Sequence, residues 1–284
     1  MSAVAPLRFE IVGTGLWMPE YGSLNAWRNG APDPGLVRPN AEILPPRLRR
    51  RTSFLTRIVS CAVTDANRQA VGNGGGSLSV VRYVIGSAWG ELDTTVSLLA
   101  SMFSDDGGVS PTSFTNSVHN TATGYLSIVS DNHTGSNAVA AGEQTVAMAF
   151  LDAVATALVD RQEAMLVLAD EVIPAPFAAS EGDSLASGER THAMAVAFQI
   201  RSPEGIASVA NNERRALVEL VQIREDRAPR LKVDDPEALD FVHDGLVPLL
   251  RALCCGEEAL VPLEPIRGQH EHVWCLRVLG SDSQ

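Results

Sequence analysis

The chain is short of three things, and each shortage closes off a class of protein. It has only four cysteines, Cys61, Cys254, Cys255 and Cys275, in 284 residues. None forms a CxxC pair and adjacent cysteines rarely bridge each other, so a disulfide framework is not expected and the thiols read as buried side chains of a protein from a reducing compartment. Cations are also scarce: 22 lysines and arginines stand against 34 aspartates and glutamates, a formal net charge of −12. Nucleic acids and anionic membranes both require clustered cations, so neither is expected as a partner. No stretch of 18 residues is both apolar and uncharged, so no membrane span is expected. The opening MSAVAPLRFEIVG lacks the basic-then-apolar pattern of a signal peptide, which makes the cytoplasm the expected location.

Familiar catalytic motifs are missing too. The run GNGGGS at 72–77 is followed by no GK[ST] and starts no helix, so it reads as a flexible turn rather than a phosphate loop. Ser113 and Ser117 lie outside any GxSxG, and Cys254 and Cys255 have no histidine nearby in a catalytic pattern. His270 and His272 would share a face of a strand, but no third ligand accompanies them, so an exposed strand end is the better reading than a metal site. His119 reads as a structural histidine rather than a general base, and Cys61 as a core residue. The basic run Arg47, Arg49, Arg50, Arg51 reads as a solvated or partner-facing loop.

What is present is an alternation of strands and helices. Phe9 to Trp17 reads as a strand ending in a Gly13-Thr14-Gly15 turn, and residues 20–52, with five prolines and three glycines, as a long loop. Helical spacing of Leu55, Ile58, Val59, Ala62, Ala66 and Ala70 predicts a helix over 53–71 with Ser53 as its cap. Strands are predicted at 80–86, 137–141 (short, apolar, of the buried kind), 164–169, 193–200, 218–223 and 273–278. Further helices are predicted at 91–103, with Glu91 and Asp93 favourable at its positive end, from about Thr121, along Val146 to Leu158, and over 236–253 with a kink at Pro248. The order implies an α/β fold with a layered, largely buried sheet. No compositional break marks a domain boundary, so one domain over 1–284 is expected, with 201–216 a possible connection.

Several ordered segments resemble the N-terminal half of the β-ketoacyl synthases, a thiolase-fold family. They are IVGTGLWMPEYG, YVIGSAWGE, SFTNSVHNTATGYLSI, GSNAVAAGEQTVAMAFLDA, AMLVLADE and HAMAVAFQI, together spanning roughly 8–200, with 201–284 a divergent extension. The resemblance implies a thiolase-like α/β/α fold truncated to about the N-terminal half of a ketosynthase. In active members a cysteine follows the glycine of the nucleophile elbow by nine positions; counted from Gly135 that place holds Gln144, flanked by Gly142 and Glu143. A thiolate at a helix N-terminus can accept an acyl chain, whereas a carboxamide cannot. The histidine motifs resembling HGTGT and GHxxGA that support decarboxylation are also absent: His119, His133, His192, His243, His270 and His272 have no such context.

Gly-Glu-Gln at this elbow is similar to the motif of polyketide chain-length factors. The resemblance therefore implies a subunit without catalytic residues, of the kind found in aryl polyene or fatty-acid-type chain elongation. It would pair with a full-length ketosynthase as a heterodimer, meet acyl carrier protein through that complex and need no cofactor or metal. Asn137, Ala138, Val139, Ala140, Ala141, Met148 and Phe150 are then the candidates for the tunnel and interface. Two other readings stay open: a divergent ketosynthase or acyltransferase with its nucleophile elsewhere, and a module that binds carrier protein alone, which the shared acidity disfavours.

Overall fold

The computed structural model describes residues 5–104, 107–174, 177, 193–203, 215–229, 246–266, 268 and 270–280. Strand β1 (Leu7–Trp17) leads through two short helices, α1 (Leu24–Arg28) and α2 (Pro46–Arg49), to the long helix α3 (Phe54–Gly72). Next come β2 (Arg82–Gly86), α4 (Leu92–Met102), α5 (Pro111–Asn116), α6 (Thr121–Val129), β3 (Ser136–Val139), α7 (Thr145–Val159), β4 (Ala164–Asp170) and β5 (Met194–Arg201). The chain closes with β6 (Ala216–Arg224), α8 (Leu246–Cys255), β7 (Ala259–Pro262) and β8 (His272–Val278). The part of the last predicted helix before Leu246, and most of the 201–216 connection, lie outside the described residues.

The eight strands form one sheet in the order β3-β2-β4-β5-β1-β6-β8-β7. β2 pairs parallel with both β3 and β4, and every other pairing is antiparallel. Strands β4 and β5 are buried along their whole length, as strands covered on both faces must be. One face carries α7 and α8 over a core that includes Phe9, Phe150, Phe198, Leu220 and Leu276. The other carries α3 and α6 over Trp17, Tyr83, Met165 and Val167. The result is the α/β/α layering expected. The window Gly142–Val159 is long and apolar enough to cross a membrane by composition, but Val146, Ala149, Phe150, Ala153 and Val154 within it are buried in this core.

Local chemistry explains the elements. Ser53 caps α3, its hydroxyl accepting the Thr56 N–H at 3.0 Å. Gly13 and Gly15 do not make the predicted turn: β1 runs straight through them to Trp17, with an irregularity between Ile11 and Gly13. They are glycines because α3 lies flush against the strand; a Cβ at Gly13 would stand 2.2 Å from the Ala66 carbonyl oxygen, and one at Gly15 would stand 2.1 Å from that of Ala62. The GNGGGS turn is tethered rather than loose. Glu163 accepts the Gly76 N–H at 2.8 Å, while Asn67 and Gln199 both donate to the Gly76 carbonyl. β3 also differs from expectation, since it is the outermost strand and only half-buried, with β2 on one side and no strand on the other among the described residues.

Candidate functional site

The residues singled out from the sequence meet where β3 turns into α7. The turn needs a left-handed residue, and Gly142 supplies it with φ +57°. A single 3₁₀ turn, Gly142–Gln144, then winds into the helix. Thr145, fully buried, braces the corner: its hydroxyl accepts the Ala141 N–H at 3.0 Å and donates to the Gly142 carbonyl at 2.7 Å. Gly86 at the end of β2 lets α7 sit close, because a Cβ there would meet Ala149 and Leu168 at 2.8 Å.

Gln144 is half-buried at the N-terminus of α7, and its Nε2 donates to Glu264 Oε2 at 2.9 Å. A carboxylate only accepts, so the amide orientation is fixed, with nitrogen toward Glu264 and Oε1 turned away. Glu264 is buried, and its other oxygen accepts the Trp274 N–H at 2.7 Å. No cation pairs with it among the described residues. Its charge is felt next door: the Cys275 thiol is pushed up to about 12, first by burial and then by the Glu264 carboxylate. Glu264 lies 120 positions from Gln144, beyond the reach of any local sequence signal.

The other predicted site residues surround this corner. Asn137 Nδ2 donates to Asp152 Oδ2 of α7 at 2.8 Å, which ties β3 to the helix. Ala138 and Val139 are half-buried in β3, Ala140 and Ala141 are exposed, and Glu143 is half-buried. Met148 is partly buried against the core, whereas Phe150 is wholly inside it, its ring 5.5 Å from that of Phe198.

A second cluster, not anticipated from the sequence, lies at the ends of β2 and β4. Ser87 Oγ donates to Asp170 Oδ1 at 2.7 Å, and Asp170 also accepts the Trp89 N–H. His119 Nε2 contacts the Ser87 carbonyl at 3.1 Å and so carries its proton there. Serine, histidine and aspartate are the residue types of a hydrolase triad, but the wiring is wrong: the imidazole engages a main-chain carbonyl, and the hydroxyl goes straight to the carboxylate. Gly90, at φ +57°, leaves room for the ring, since a Cβ there would stand 2.1 Å from His119 Nδ1.

Beside this turn Glu91 is buried rather than solvated at the start of α4. It accepts hydrogen bonds from Ser53 Oγ at 2.7 Å and Thr56 Oγ1 at 3.2 Å, and burial pushes its carboxyl up to about 7. Glu171 is raised to about 8 by burial and by the neighbouring Glu91, Asp93 and Asp170 charges.

Of the cysteines, Cys61 and Cys254 are half-buried, Cys275 is buried and Cys255 is exposed, which departs from the expectation of buried thiols throughout. Cys61 accepts the Ala41 N–H at 3.2 Å. His272 opens β8 at the surface, and His192 and His243 lie outside the described residues.

The sequence model of a family described as "Beta-ketoacyl synthase, N-terminal domain" matches residues 24–247. No protein of curated function matches. Among solved structures, one similar chain belongs to "Ketosynthase (ApeO) in Complex with its Chain Length Factor (ApeC) from Xenorhabdus doucetiae", at TM-score 0.65 and 18% identity, covering 95% of this chain and 99% of that one. Another is from "The ishigamide ketosynthase/chain length factor", at TM-score 0.58 and 19% identity, covering 80% and 68%. A third is from "AntDE:AntF (apo): type II PKS acyl-carrier protein in complex with its ketosynthase bound to the hexaketide", at TM-score 0.68 and 10% identity, covering 97% and 100%. At these identities the structural matches establish the thiolase-like ketosynthase fold.

Proposed function

The chain belongs to the β-ketoacyl synthase family, and from that premise we propose that it is a non-catalytic, chain-length-factor-like subunit that pairs with a catalytic ketosynthase and shapes its acyl tunnel. The observation that carries this reading is the state of Gln144. At the head of α7, where the family's nucleophile is expected, stands a carboxamide whose nitrogen is already bonded to a buried carboxylate. Such a group does not attack a thioester, so it cannot form an acyl-enzyme.

Two surface features support the pairing. Among the described residues β3 leaves one edge without a strand, and an open edge is a template for a strand from another chain. In addition, α4 packs on α5 and presents Leu99, Met102, Phe103 and Phe114 to solvent, with Phe103 86% and Phe114 62% exposed. Exposed aromatic and methionine side chains in this number mark interfaces rather than free surface. The partner meets the chain here, Asn137 to Ala141 and Met148 flank the tunnel, and Phe150 backs that wall from the core. Acyl carrier protein reaches the site through the complex, in the cytoplasm, and the presence of β6, β7 and β8 in the same sheet supports the reading of one domain over 1–284.

The rival reading, an acyltransferase with a displaced nucleophile, finds little in the thiols. Burial raises Cys61 and Cys254 above the ordinary range and Cys275 to about 12, the opposite of what a thiolate nucleophile requires. Co-expression with a ketosynthase from the same organism, followed by size exclusion, is expected to give one stoichiometric complex. A chain that elutes alone, or a covalent acyl adduct on the isolated chain after incubation with acyl carrier substrate, overturns the proposal.

A further inference from the structure

A cavity of about 790 Å³ shares no residue with the elbow. Its origin is the mismatch between β1 and its neighbours. β5 follows β1 as far as Trp17, but β6 pairs only with Leu7 to Ile11. Past Ile11 that edge of β1 has no strand among the described residues, and α1, α3, the start of β6 and the ends of α8 and β8 ring the gap.

The walls have a definite chemistry. Arg28 of α1, Arg68 of α3 and Arg215 before β6 all line the cavity, in a chain whose formal net charge is −12. The only acid among the described lining residues is Asp65. Its Oδ2 is already spent on the Leu16 N–H at 3.3 Å and the Leu24 N–H at 2.8 Å, and its Oδ1 stands 3.6 Å from Arg68.

The guanidinium groups, by contrast, are largely unspent. Arg28 makes no hydrogen bond or ion pair among the described residues, although its charge reaches Cys254 on α8. Arg215 uses Nη2 on the Asn73 carbonyl at 3.0 Å, while its Nε is buried with no partner. An anion is the natural acceptor for the guanidinium groups that face the cavity. The remaining lining is mixed, with Ile11, Leu217 and Val278 apolar and Thr14, Ser23, Asn25 and Gln69 polar. The volume falls within the range of small-molecule sites, which pair an apolar wall with a few polar anchors.

We propose that this cavity between α1, α3 and the β6 start is a binding site for a small anionic amphiphile, a single carboxylate or phosphate head on the three arginines with a short apolar body against Ile11, Leu217 and Val278. The site is independent of the ketosynthase pairing, because neither β3 nor the α4–α5 face contributes to it.

Calorimetric titration of the full chain with octanoate, octyl phosphate, octanol and inorganic phosphate tests it. Saturable binding is expected for octanoate or octyl phosphate, at least about tenfold tighter than for octanol or phosphate alone; which of the two binds better identifies the head group. Arg28→Gln, at an exposed side chain with no bond to lose, is expected to weaken binding severalfold without moving the thermal melt. Arg28→Gln/Arg215→Gln is expected to abolish it. Octanol binding as well as octanoate, unchanged affinity in both variants, or no saturation by either charged probe overturns the site.

Discussion

Gln144 and Glu264 together decide what a restored thiol at the elbow would be. A cysteine at a helix N-terminus ordinarily ionises easily, but here a buried carboxylate faces it, and a negative neighbour favours the neutral thiol. Gln144→Cys is therefore expected to titrate at or above the ordinary thiol value of about 8.5 and to form no acyl adduct. Adding Glu264→Gln is expected to lower that value by about one unit or more, read from iodoacetamide reactivity against pH. Gly13 offers a test of packing. With Ala66 main chain 2.2 Å from where a Cβ would sit, Gly13→Ala is expected to cost on the order of 3 kcal/mol, seen in denaturant unfolding. Gln144 is visible in the sequence by counting from a glycine, whereas Glu264 is not, because only the folded sheet brings β7 and its following turn to α7. The glycines of β1 carried an ambiguous signal, since a turn and a close approach both call for glycine. The alanines at Ala62 and Ala66 of α3, four residues apart, were the clue that favoured contact.

The helices and strands with long apolar periodicity are the ones the sequence discloses: α3, α7, β4 and β5 appear within a residue or two of expectation. The short ones hide behind their prolines. Pro46 and Pro111 suggest breaks, yet each occupies the first turn of a helix, where its missing N–H costs nothing. β7 is only four residues and ends in Pro262, too brief for alternation to register. At the junction of β2, β4 and α4, Glu91 and Glu171 predict a pH effect. Both folded carboxyls titrate above the ordinary glutamate value of 4.5, at about 7 and about 8. The folded chain therefore keeps protons that the unfolded chain releases, and stability falls as pH rises from about 4.5 through 8. The melting temperature is expected to drop by on the order of 5 °C between pH 5 and pH 8, and a Glu91→Gln/Glu171→Gln variant is expected to flatten that slope.

On the proposed pairing, the whole molecule puts its contacts on an exposed face. The α4–α5 face is the place to disrupt pairing without harming the fold, because Phe103 and Phe114 are largely in solvent already. Phe103→Glu/Phe114→Glu is expected to leave the melting temperature of the isolated chain within about a degree while weakening the ketosynthase complex tenfold or more, measured by size exclusion and by biosensor kinetics. An undiminished complex would move the interface elsewhere. The net charge has a place in the same picture: it keeps free copies apart through mutual repulsion until a partner covers the apolar face.

The open edge of β3 bears on how a cell must manage this polypeptide. A subunit made in excess of its mate would carry an unsatisfied backbone ladder that can recruit other chains just as readily. On the proposed pairing, orphan copies are expected to become substrates for chaperones and proteases, so that the balance of synthesis between the chain and its ketosynthase partner, as much as either one's own stability, would set how much assembly accumulates.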